Sequence, residues 1–474
     1  MILNYAEYII NYQTDKIALI EDGKTVTYNQ LAKYVRRFAY TLKSRDIRSG
    51  DRIIISMHDS IEWVVAYLAC VKIGAVPIQA SPLLLHHRIV DAINSIKSRA
   101  IISEDKFDDI MLITPHDIMV SGPELDEYYE FSPDEIAITT PTSGSTSESK
   151  FVCHRHQNLV NYINMASPYL KIDHDTIMFC TSKMSHVAGL NMTLTLSLAN
   201  RGTAILTKKK LTPSVIFNII TGESVTHFFS SPGVIAMMLK TSIDLVENKL
   251  KFAGCGSQRL PSELFSRFEN LFRVPIRACY GISECCSLVS CEIFSDNPSL
   301  DRRSVGHINS LPDGVVIEIK NSQGNICRID EVGEIYIKHP CTASFYWNNW
   351  QKTRESFHGE WFKTKDLAFI NQDGYIVYVS RVDELVKING LAVSIIEVED
   401  VIMRYPGVED CLVSVKQNRN NIDKLNAMIV FNGDESSLRK YLQLHLEAYK
   451  IPTFIEQVKE IPKTWSGKKF RRRQ

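Results

Sequence analysis

The chain has 474 residues, more than a single domain ordinarily contains, and its 45% hydrophobic and 23% charged residues are typical of a globular protein with a large core. Basic and acidic residues number 54 each, so the overall charge gives no indication for or against a nucleic-acid partner. No apolar run reaches the roughly 18 residues that a membrane-spanning helix requires, and the sequence does not open on the basic and apolar segments of a secretion signal. These features predict a cytoplasmic protein whose 11 cysteines stay reduced.

Predicted strands and helices alternate through the N-terminal part of the chain. The predicted strands are Arg52–Ser56, Ala75–Gln79, Ala100–Ser103, Glu135–Thr139, Asp175–Phe179, Thr203–Leu206 and Thr226–Phe229. The predicted helices are Ile61–Val71, Gln157–Leu170, Gly189–Ala199, Pro213–Thr221 and Pro261–Phe272. This alternation is typical of parallel sheets that are covered by helices.

The pattern changes at about residue 305, where short strands are joined by polar turns. The predicted strands here are Val315–Ile319, Gly333–Lys338 and Tyr375–Val379, and the turn Asn371–Gly374 ends in a glycine that can adopt positive φ. Beyond Arg381 the pattern is mixed, with helices at Ile395–Tyr405 and Ser436–Ala448 and strands at Glu409–Lys416 and Lys424–Phe431. We therefore predict an α/β fold: a large N-terminal domain at residues 1–382, made of helix-covered β-sheets plus a small antiparallel β-barrel at about 305–380, and a small α+β C-terminal domain at residues 383–474.

The segment Thr140–Lys150 is rich in serine and threonine and follows the short apolar strand Glu135–Thr139. Its hydroxyls, backbone N–H groups and lysine suit a polyphosphate, so the segment suggests a nucleoside triphosphate site. A polar surface linker is the alternative. The segment is not a Walker A loop, because Lys150 precedes Phe151 and does not stand in the Gly-Lys-Ser/Thr ending of that motif.

Six separated motifs follow one another in a fixed order: Thr142–Lys150, Ser185–Leu190, Tyr280–Glu284, Trp361–Leu367, Arg381–Gly390 and Pro462–Lys468. In this order and spacing the chain resembles the acyl-adenylate-forming superfamily of acyl- and aryl-CoA synthetases, peptide-synthetase adenylation domains and firefly luciferase. The resemblance extends from Thr25 nearly to the C-terminus. It implies an acid–thiol ligase that activates a carboxylic acid with ATP and Mg²⁺ through an acyl-adenylate and transfers the acyl group to a thiol, most simply that of CoA. A stand-alone adenylation enzyme that loads a separate carrier protein is the alternative.

Some residues depart from the family's pattern. Ser147, Ser149 and Phe151 stand where the phosphate loop usually continues Gly-x-Pro-Lys-Gly, and Lys365 replaces the glycine of Thr-Gly-Asp. Ser283 replaces a threonine and keeps its hydroxyl. These changes bear on turnover more than on reaction type, although they leave open a non-catalytic relative.

The resemblance also implies roles for residues around the nucleotide. Those that would hold the β- and γ-phosphates are Thr142, Ser143, Gly144, Ser145, Thr146 and Lys150. Glu284 would bind Mg²⁺ and Ser283 would contact the α-phosphate. Those around the adenine would be Tyr280, Gly281, Gly256, Ser257 and Gln258. Asp366 would accept hydrogen bonds from the ribose hydroxyls, and Arg381 would reach the ribose and a phosphate.

The resemblance assigns further roles to the C-terminal segment. Lys468 would bridge the substrate carboxylate and the nucleotide, which lowers the repulsion between two anions. Asp383 would be the hinge of a mobile lid, and Lys387 and Gly390 would line the pantetheine channel. The local alternative for Lys468 is that the basic run 468–473 is a solvated tail or a nucleic-acid patch, which the balanced overall charge disfavours.

His186 bears on the choice of acid. Amino-acid-activating relatives usually carry an aspartate at this motif position, whereas a histidine resembles acyl- and aryl-CoA synthetases, where it borders the substrate carboxylate. A structural histidine that caps the following helix is the alternative. The residue predicts a substrate without a free α-amine.

Overall fold

The computed structural model describes residues 4–12, 14–132, 134–141, 150–241, 246–292, 304–388, 391–417 and 423–462. The α-helices in these ranges are Tyr5–Ile10, Tyr28–Ser44, Ile61–Lys72, His86–Ile96, Pro115–Ile118, His156–Tyr169, Val187–Gly189, Ser197–Ala199, Pro213–Gly222, Pro232–Met238, Ser262–Phe272, Trp350–Ser356, Ile395–Met403 and Glu435–His445. A π-helical stretch, Leu190–Leu196, joins two of them into one continuous helix, which we call the π-containing helix. Short 3₁₀ turns occur at Ser283–Cys285, Ile308–Ser310, Val382–Glu384 and Ala448–Lys450.

The largest sheet has eight strands, in the order Ser290–Cys291, Ile276–Tyr280, Phe252–Cys255, His227–Ser230, Ile177–Cys180, Thr203–Leu206, Ile17–Glu21 and Lys24–Thr27. Its interior pairs are parallel and its two edge pairs are antiparallel. The expected strand at Asp175–Phe179 begins at Ile177 instead. The reason is a local turn, in which the side chain of Asp173 accepts a hydrogen bond from the N–H of Asp175.

A second sheet has seven strands, in the order Phe345–Tyr346, Phe151–Arg155, Ile136–Pro141, Val76–Gln79, Arg52–Ser56, Ala100–Ser103 and Met111–Ile113. Its pairs are parallel from Ile136–Pro141 onward and antiparallel before it. The helix Ile61–Lys72 is buried along its whole length, so a nearly continuous apolar sequence without strong amphipathicity suits it. Ser60 caps its first turn by accepting from the N–H of Trp63.

The third sheet is the expected antiparallel one. Its strands are Ser304–His307, Tyr375–Arg381, Trp361–Ile370, Gly333–Lys338 and Val316–Lys320, and Phe357–His358 pairs with Trp361–Ile370. The turn Asn371–Gly374 connects two neighbouring strands, and Gly374 has the positive φ of 84° that its position in the turn requires. The α/β prediction, with its antiparallel part, is confirmed.

The C-terminal segment has its own core. The hairpin strands Leu385–Ile388 and Leu391–Ser394 precede a three-stranded sheet of Val408–Gln417, Asp423–Phe431 and Phe454–Gln457. Two helices, Ile395–Met403 and Glu435–His445, bury Val398 and Leu438 against it. Ion pairs between Lys240 and Glu409 (2.8 Å) and between Arg259 and Asp400 join this segment to the preceding part of the chain. None of the described helices combines the length and apolar character needed to cross a membrane.

Candidate active site

A hydrogen-bonded cluster joins the largest sheet to the antiparallel sheet. The hydroxyl of Tyr280, at the end of its strand, donates to Oδ2 of Asp366 at 2.7 Å. Arg381 donates through Nη1 to Oδ1 of Asp366 at 2.7 Å and through Nη2 to the carbonyl of Thr364 at 3.2 Å. Asp366 and Arg381 meet because they are directly opposite on neighbouring antiparallel strands.

The Asp366 carboxyl is almost completely buried, at 2% exposure. Burial raises its pKa to about 6, although the Arg381 guanidinium and the Tyr280 hydroxyl both favour the ionised form. Burial and the neighbouring carboxylate raise the pKa of Tyr280 well above its ordinary value, so the phenol stays a hydrogen-bond donor. Each oxygen of an ionised carboxylate has two lone pairs, so Asp366 can accept further hydrogen bonds from ligand hydroxyls.

A second cluster surrounds Glu284. The hydroxyl of Tyr346 donates to Oε1 of Glu284 at 2.5 Å, and the ammonium of Lys150 lies 4.9 Å from the centre of the Tyr346 ring. The N–H of Ala343 donates to the Glu284 carbonyl at 2.7 Å, so side chain and backbone are both held. Burial and the charge of Glu284 raise the pKa of the Tyr346 hydroxyl.

The turn that carries Glu284 depends on Gly281. A Cβ at Gly281 would overlap the carbonyl oxygen of Ser287, because the chain folds back on itself there. Cys286 and Ser287 complete the reversal with φ values of 56° and 100°. Such left-handed conformations persist only where surrounding contacts enforce them.

Two buried polar side chains supply those contacts. His154 binds the Ser283 carbonyl through Nε2 at 2.8 Å and Sγ of Cys286 through Nδ1 at 3.3 Å. Because a carbonyl only accepts, Nε2 of His154 carries a proton. Asn191, inside the π-containing helix, donates to the Cys286 carbonyl at 2.6 Å. We call His154, Asn191 and the backbone of residues 281–287 the turn support.

The sequence analysis missed His154, Asn191 and Tyr346. Asn191 had a usable signal, since a carboxamide among the leucine, methionine and threonine residues of a helical run is expected to have a buried partner. His154 and Tyr346 had none, because nothing in their local sequence indicates which distant residue they contact.

The segment Gly256–Gln258 lies where two parallel strands end side by side. A Cβ on Gly256 would lie 3.1 Å from the carbonyl oxygen of Cys279, the residue before Tyr280. Ser257, with a φ of 71°, and Gln258 are exposed. The expected neighbours of the adenine therefore adjoin Tyr280.

His186 is the residue before the first turn of the π-containing helix and is partly buried. Its side chain makes no capping hydrogen bond to that helix. The preceding backbone is anchored separately, since the N–H of Met184 donates to the partly buried carboxyl of Asp59 at 3.1 Å. The capping role considered from the sequence therefore does not account for the imidazole.

The remaining predicted residues divide into two groups. Asp383 lies in the 3₁₀ turn Val382–Glu384, and Lys387 is exposed on the hairpin that follows. Outside the described residues lie Thr142, Ser143, Gly144, Ser145, Thr146, Gly390 and Lys468.

The side chains present fit a magnesium ion that a nucleotide brings with it. Mg²⁺ in such sites takes one or two carboxylates and completes its octahedron with phosphate and water oxygens. Glu284 supplies one carboxylate beside the Lys150 ammonium. Across the described ranges, no cluster of three or more His, Cys, Asp or Glu side chains forms an all-protein metal site.

The chain belongs to the family of AMP-binding enzymes, which it matches over residues 7–347, and residues 397–468 match the AMP-binding enzyme C-terminal domain. It is an AMP-forming acid–CoA ligase-type enzyme of the acyl-adenylate-forming superfamily, so the predictions of family and enzyme class are confirmed.

Particular relatives cover nearly the whole chain. The benzoate–CoA ligase of Thauera aromatica is 28% identical, and the match covers 96% of this chain and 91% of the relative. The 3-hydroxybenzoate–CoA ligase of Aromatoleum sp. is 25% identical over 97% of this chain and 93% of its own. The solved structure of a benzoate CoA ligase from Burkholderia xenovorans superposes with a TM-score of 0.89 at 26% identity, covering 98% of both chains. An o-succinylbenzoate CoA synthetase from Bacillus subtilis, solved with ATP and a magnesium ion, shares the fold at 23% identity and a TM-score of 0.87, covering 98% of both chains.

Proposed function

We propose that this enzyme is an aryl-CoA ligase that converts a small aromatic carboxylic acid to an acyl-adenylate with ATP and then transfers the acyl group to the thiol of CoA. The observation that carries the proposal is the convergence of two clusters on the segment 280–284: Tyr280 contacts Asp366 and Arg381, and Glu284 contacts Tyr346 beside Lys150. The benzoate and hydroxybenzoate ligases among the relatives support an aromatic acid.

The two clusters suit the two ends of a nucleotide. Asp366 can accept from the ribose hydroxyls while Arg381 keeps the carboxyl ionised. Lys150, and the proposed phosphate loop Thr142–Thr146, would bind the phosphate chain. When bound at Glu284, Mg²⁺ would neutralise charge on the phosphates.

Attack of a carboxylate on the α-phosphorus brings two anions together, so fixed positive charge lowers the barrier. Arg381 contributes one such charge next to the ribose position, and Lys468 is proposed to contribute the other. The carboxylate oxygen forms a bond to phosphorus as the bond to pyrophosphate breaks.

Several features support an acid without an amino group. His186 stands in place of the aspartate of amino-acid-activating relatives. Cys285, Cys286 and Leu288, which follow Glu284, are buried and carry no carboxylate that could pair with an ammonium group. We propose that His186 borders the carboxylate and that the segment 285–288 forms a wall of the acyl pocket.

The second half-reaction requires CoA to approach the adenylate. We propose that residues 383–474 rotate about Asp383 relative to residues 1–382, and that Lys387 and Gly390 then line the pantetheine channel. All eleven cysteines are free thiols, which supports a cytoplasmic site of action.

Exchange of labelled pyrophosphate into ATP tests the first step. We expect exchange with benzoate or a hydroxybenzoate and not with amino acids. Exchange that depends on an amino acid would contradict the choice of acid. If none of a broad panel of acids supports exchange, the result would favour a non-catalytic relative.

The acceptor is tested separately by supplying the active acid with CoA or with a phosphopantetheinyl carrier protein. Thioester formation with free CoA is expected. Transfer only to the carrier protein would establish the stand-alone adenylation alternative.

A further inference from the structure

Lys365 has an unusual backbone conformation for its place in the fold. Its φ is 65°, in the left-handed region, although it lies inside the strand Trp361–Ile370. The other non-glycine residues with positive φ in the described ranges lie in turns, in bends or at helix ends. The pairing with the strand Gly333–Lys338 is irregular between Glu334 and Tyr336, so this conformation belongs to a bulge in the strand. A β-carbon is disfavoured in this region and a glycine would avoid the cost, so a lysine is an unexpected residue for this position.

Contacts on both sides hold this conformation next to the cluster of Tyr280, Asp366 and Arg381. Arg381 binds the carbonyl of Thr364 and the carboxyl of Asp366, the two neighbours of Lys365. The N–H of Lys365 donates to Oε1 of Glu334 at 2.9 Å. Lys365 is thus adjacent in sequence to the residue proposed to bind the ribose.

The Lys365 ammonium forms no ion pair with a carboxylate in the part of the chain that the structure describes. Glu334 accepts from the Lys365 backbone through Oε1, and its second carboxylate oxygen, Oε2, lies 3.4 Å from the ammonium of Lys363. Arg381 and Asp366 pair with each other, and Lys352 pairs with Glu355 at 2.7 Å. An unpaired cation beside these satisfied pairs is available to an anionic ligand.

The charge of Lys365 acts on the phosphate side of the site. Lys150 is half-buried, and burial lowers the pKa of its ammonium, with the charges of Lys365, Lys352 and Arg381 lowering it further. Glu284 is the carboxylate that opposes them. The cations around Lys150 make this side of the site rich in positive charge, which favours a polyanion.

We infer that Lys365 is an additional ligand for the phosphate chain of the nucleotide, placed in this enzyme at a motif position where the superfamily has a glycine. This inference rests on the proposed function, because it assumes that ATP occupies the site. Thr364 and Asp366 are buried whereas Lys365 between them is only partly buried, so the ammonium can contact the phosphates without displacing the ribose contact.

The test compares ligands with and without a phosphate chain. Calorimetry would measure binding of ATP with Mg²⁺, of pyrophosphate with Mg²⁺, and of adenosine to the full-length protein and to Lys365→Gln, Lys365→Gly and Lys365→Arg. Loss of one charged hydrogen bond should weaken ATP and pyrophosphate roughly tenfold in the Gln and Gly variants. Adenosine affinity should not change, and Lys365→Arg should stay within about threefold for ATP because it keeps the charge.

The Gly variant separates charge from backbone conformation. It should unfold at a higher temperature than the unaltered enzyme, because glycine relieves the left-handed backbone, and yet should lose ATP affinity as Lys365→Gln does. Unchanged ATP affinity in both variants would overturn the inference, and so would an equal loss of adenosine affinity, which would indicate an effect through Asp366. Failure of the unaltered enzyme to bind ATP at all would instead refute the proposed function.

Discussion

At Gly281, the absence of a side chain permits the tight turn that carries Glu284. The turn that follows Tyr280 returns so closely that the Ser287 carbonyl occupies the space of a Cβ. No rotation of a flexible neighbour can relieve this overlap, because the opposing atom is backbone. The same turn carries Glu284, so the stability of the fold and the position of the proposed magnesium ligand depend on one residue.

We therefore predict that Gly281→Ala destabilises the protein by on the order of 3 kcal/mol and abolishes pyrophosphate exchange. Urea denaturation measures the first effect. Gly222→Ala is the matched control, since a Cβ at Gly222 meets no heavy atom within 4 Å and the residue lies in a helix, where alanine is preferred. Equal stability of the two variants would contradict the explanation.

The ionisation of Asp366 gives the site a pH dependence. Because burial raises its pKa to about 6 from the ordinary 3.8, the carboxyl becomes protonated as the pH falls through 6 and loses acceptor capacity for the ribose that we propose it binds. The effect on folding stability has the opposite sign. The folded state binds the Asp366 proton more tightly than the unfolded state does. The protonated carboxyl therefore stabilises the fold below about pH 4, and this stabilisation is lost as the pH rises through 6.

We expect the KM for ATP to rise below about pH 6 and to be constant above it. Kinetics from about pH 5 to 8 measure this, and Asp366→Asn should bind ATP weakly without that inflection. An inflection of the same size in the Asn variant would assign the titration to another group.

At the scale of elements, the π-containing helix orients a polar network inside the core. Its Asn191 side chain accepts from the Thr195 hydroxyl at 2.9 Å, and that hydroxyl accepts from Tyr5 at 2.7 Å. The same carboxamide donates to the Cys286 carbonyl. The N-terminal helix is thereby connected through three buried side chains to the turn that carries Glu284.

Asn191→Leu should remove this connection and leave the Cys286 carbonyl without its donor, at a cost of about 2 kcal/mol. Because the turn supports Glu284, we also expect the Mg²⁺ concentration needed for half-maximal exchange to rise several-fold. Met192→Leu, a volume-conserving change at the next buried position, is the control and should cost less than about 1.5 kcal/mol. A Mg²⁺ dependence that stays unchanged in Asn191→Leu would show that the network only stabilises the core.

At the scale of the whole molecule, ion pairs join the C-terminal segment to the preceding part of the chain. Arg259 and Asp400 form the more buried ion pair, with side-chain exposures of 15% and 23%, whereas Lys240 and Glu409 are exposed. Exposed pairs contribute little, while removing one partner of a sheltered pair leaves a charge without its counterion.

If residues 383–474 rotate as proposed, Asp400→Asn should allow this segment to leave its present orientation more readily. We expect cleavage by a non-specific protease near Val382–Glu384 to become a few-fold faster, and Glu409→Gln to change it little. Identical cleavage rates in the two variants would show that the Arg259–Asp400 pair does not restrain the segment.

The amino-acid sequence alone determined the fold class, most element positions and the positions of the motifs. The reason is that strand alternation, helix periodicity and turn glycines are local, and each is encoded within about a dozen neighbouring residues. Only the tertiary structure revealed that Tyr346 binds Glu284, that Asn191 and His154 hold the turn, and that Lys365 adopts a left-handed conformation. These contacts join residues that are 62, 95 and 129 positions apart, and such pairs are selected by the packing of sheets against one another rather than by any local pattern.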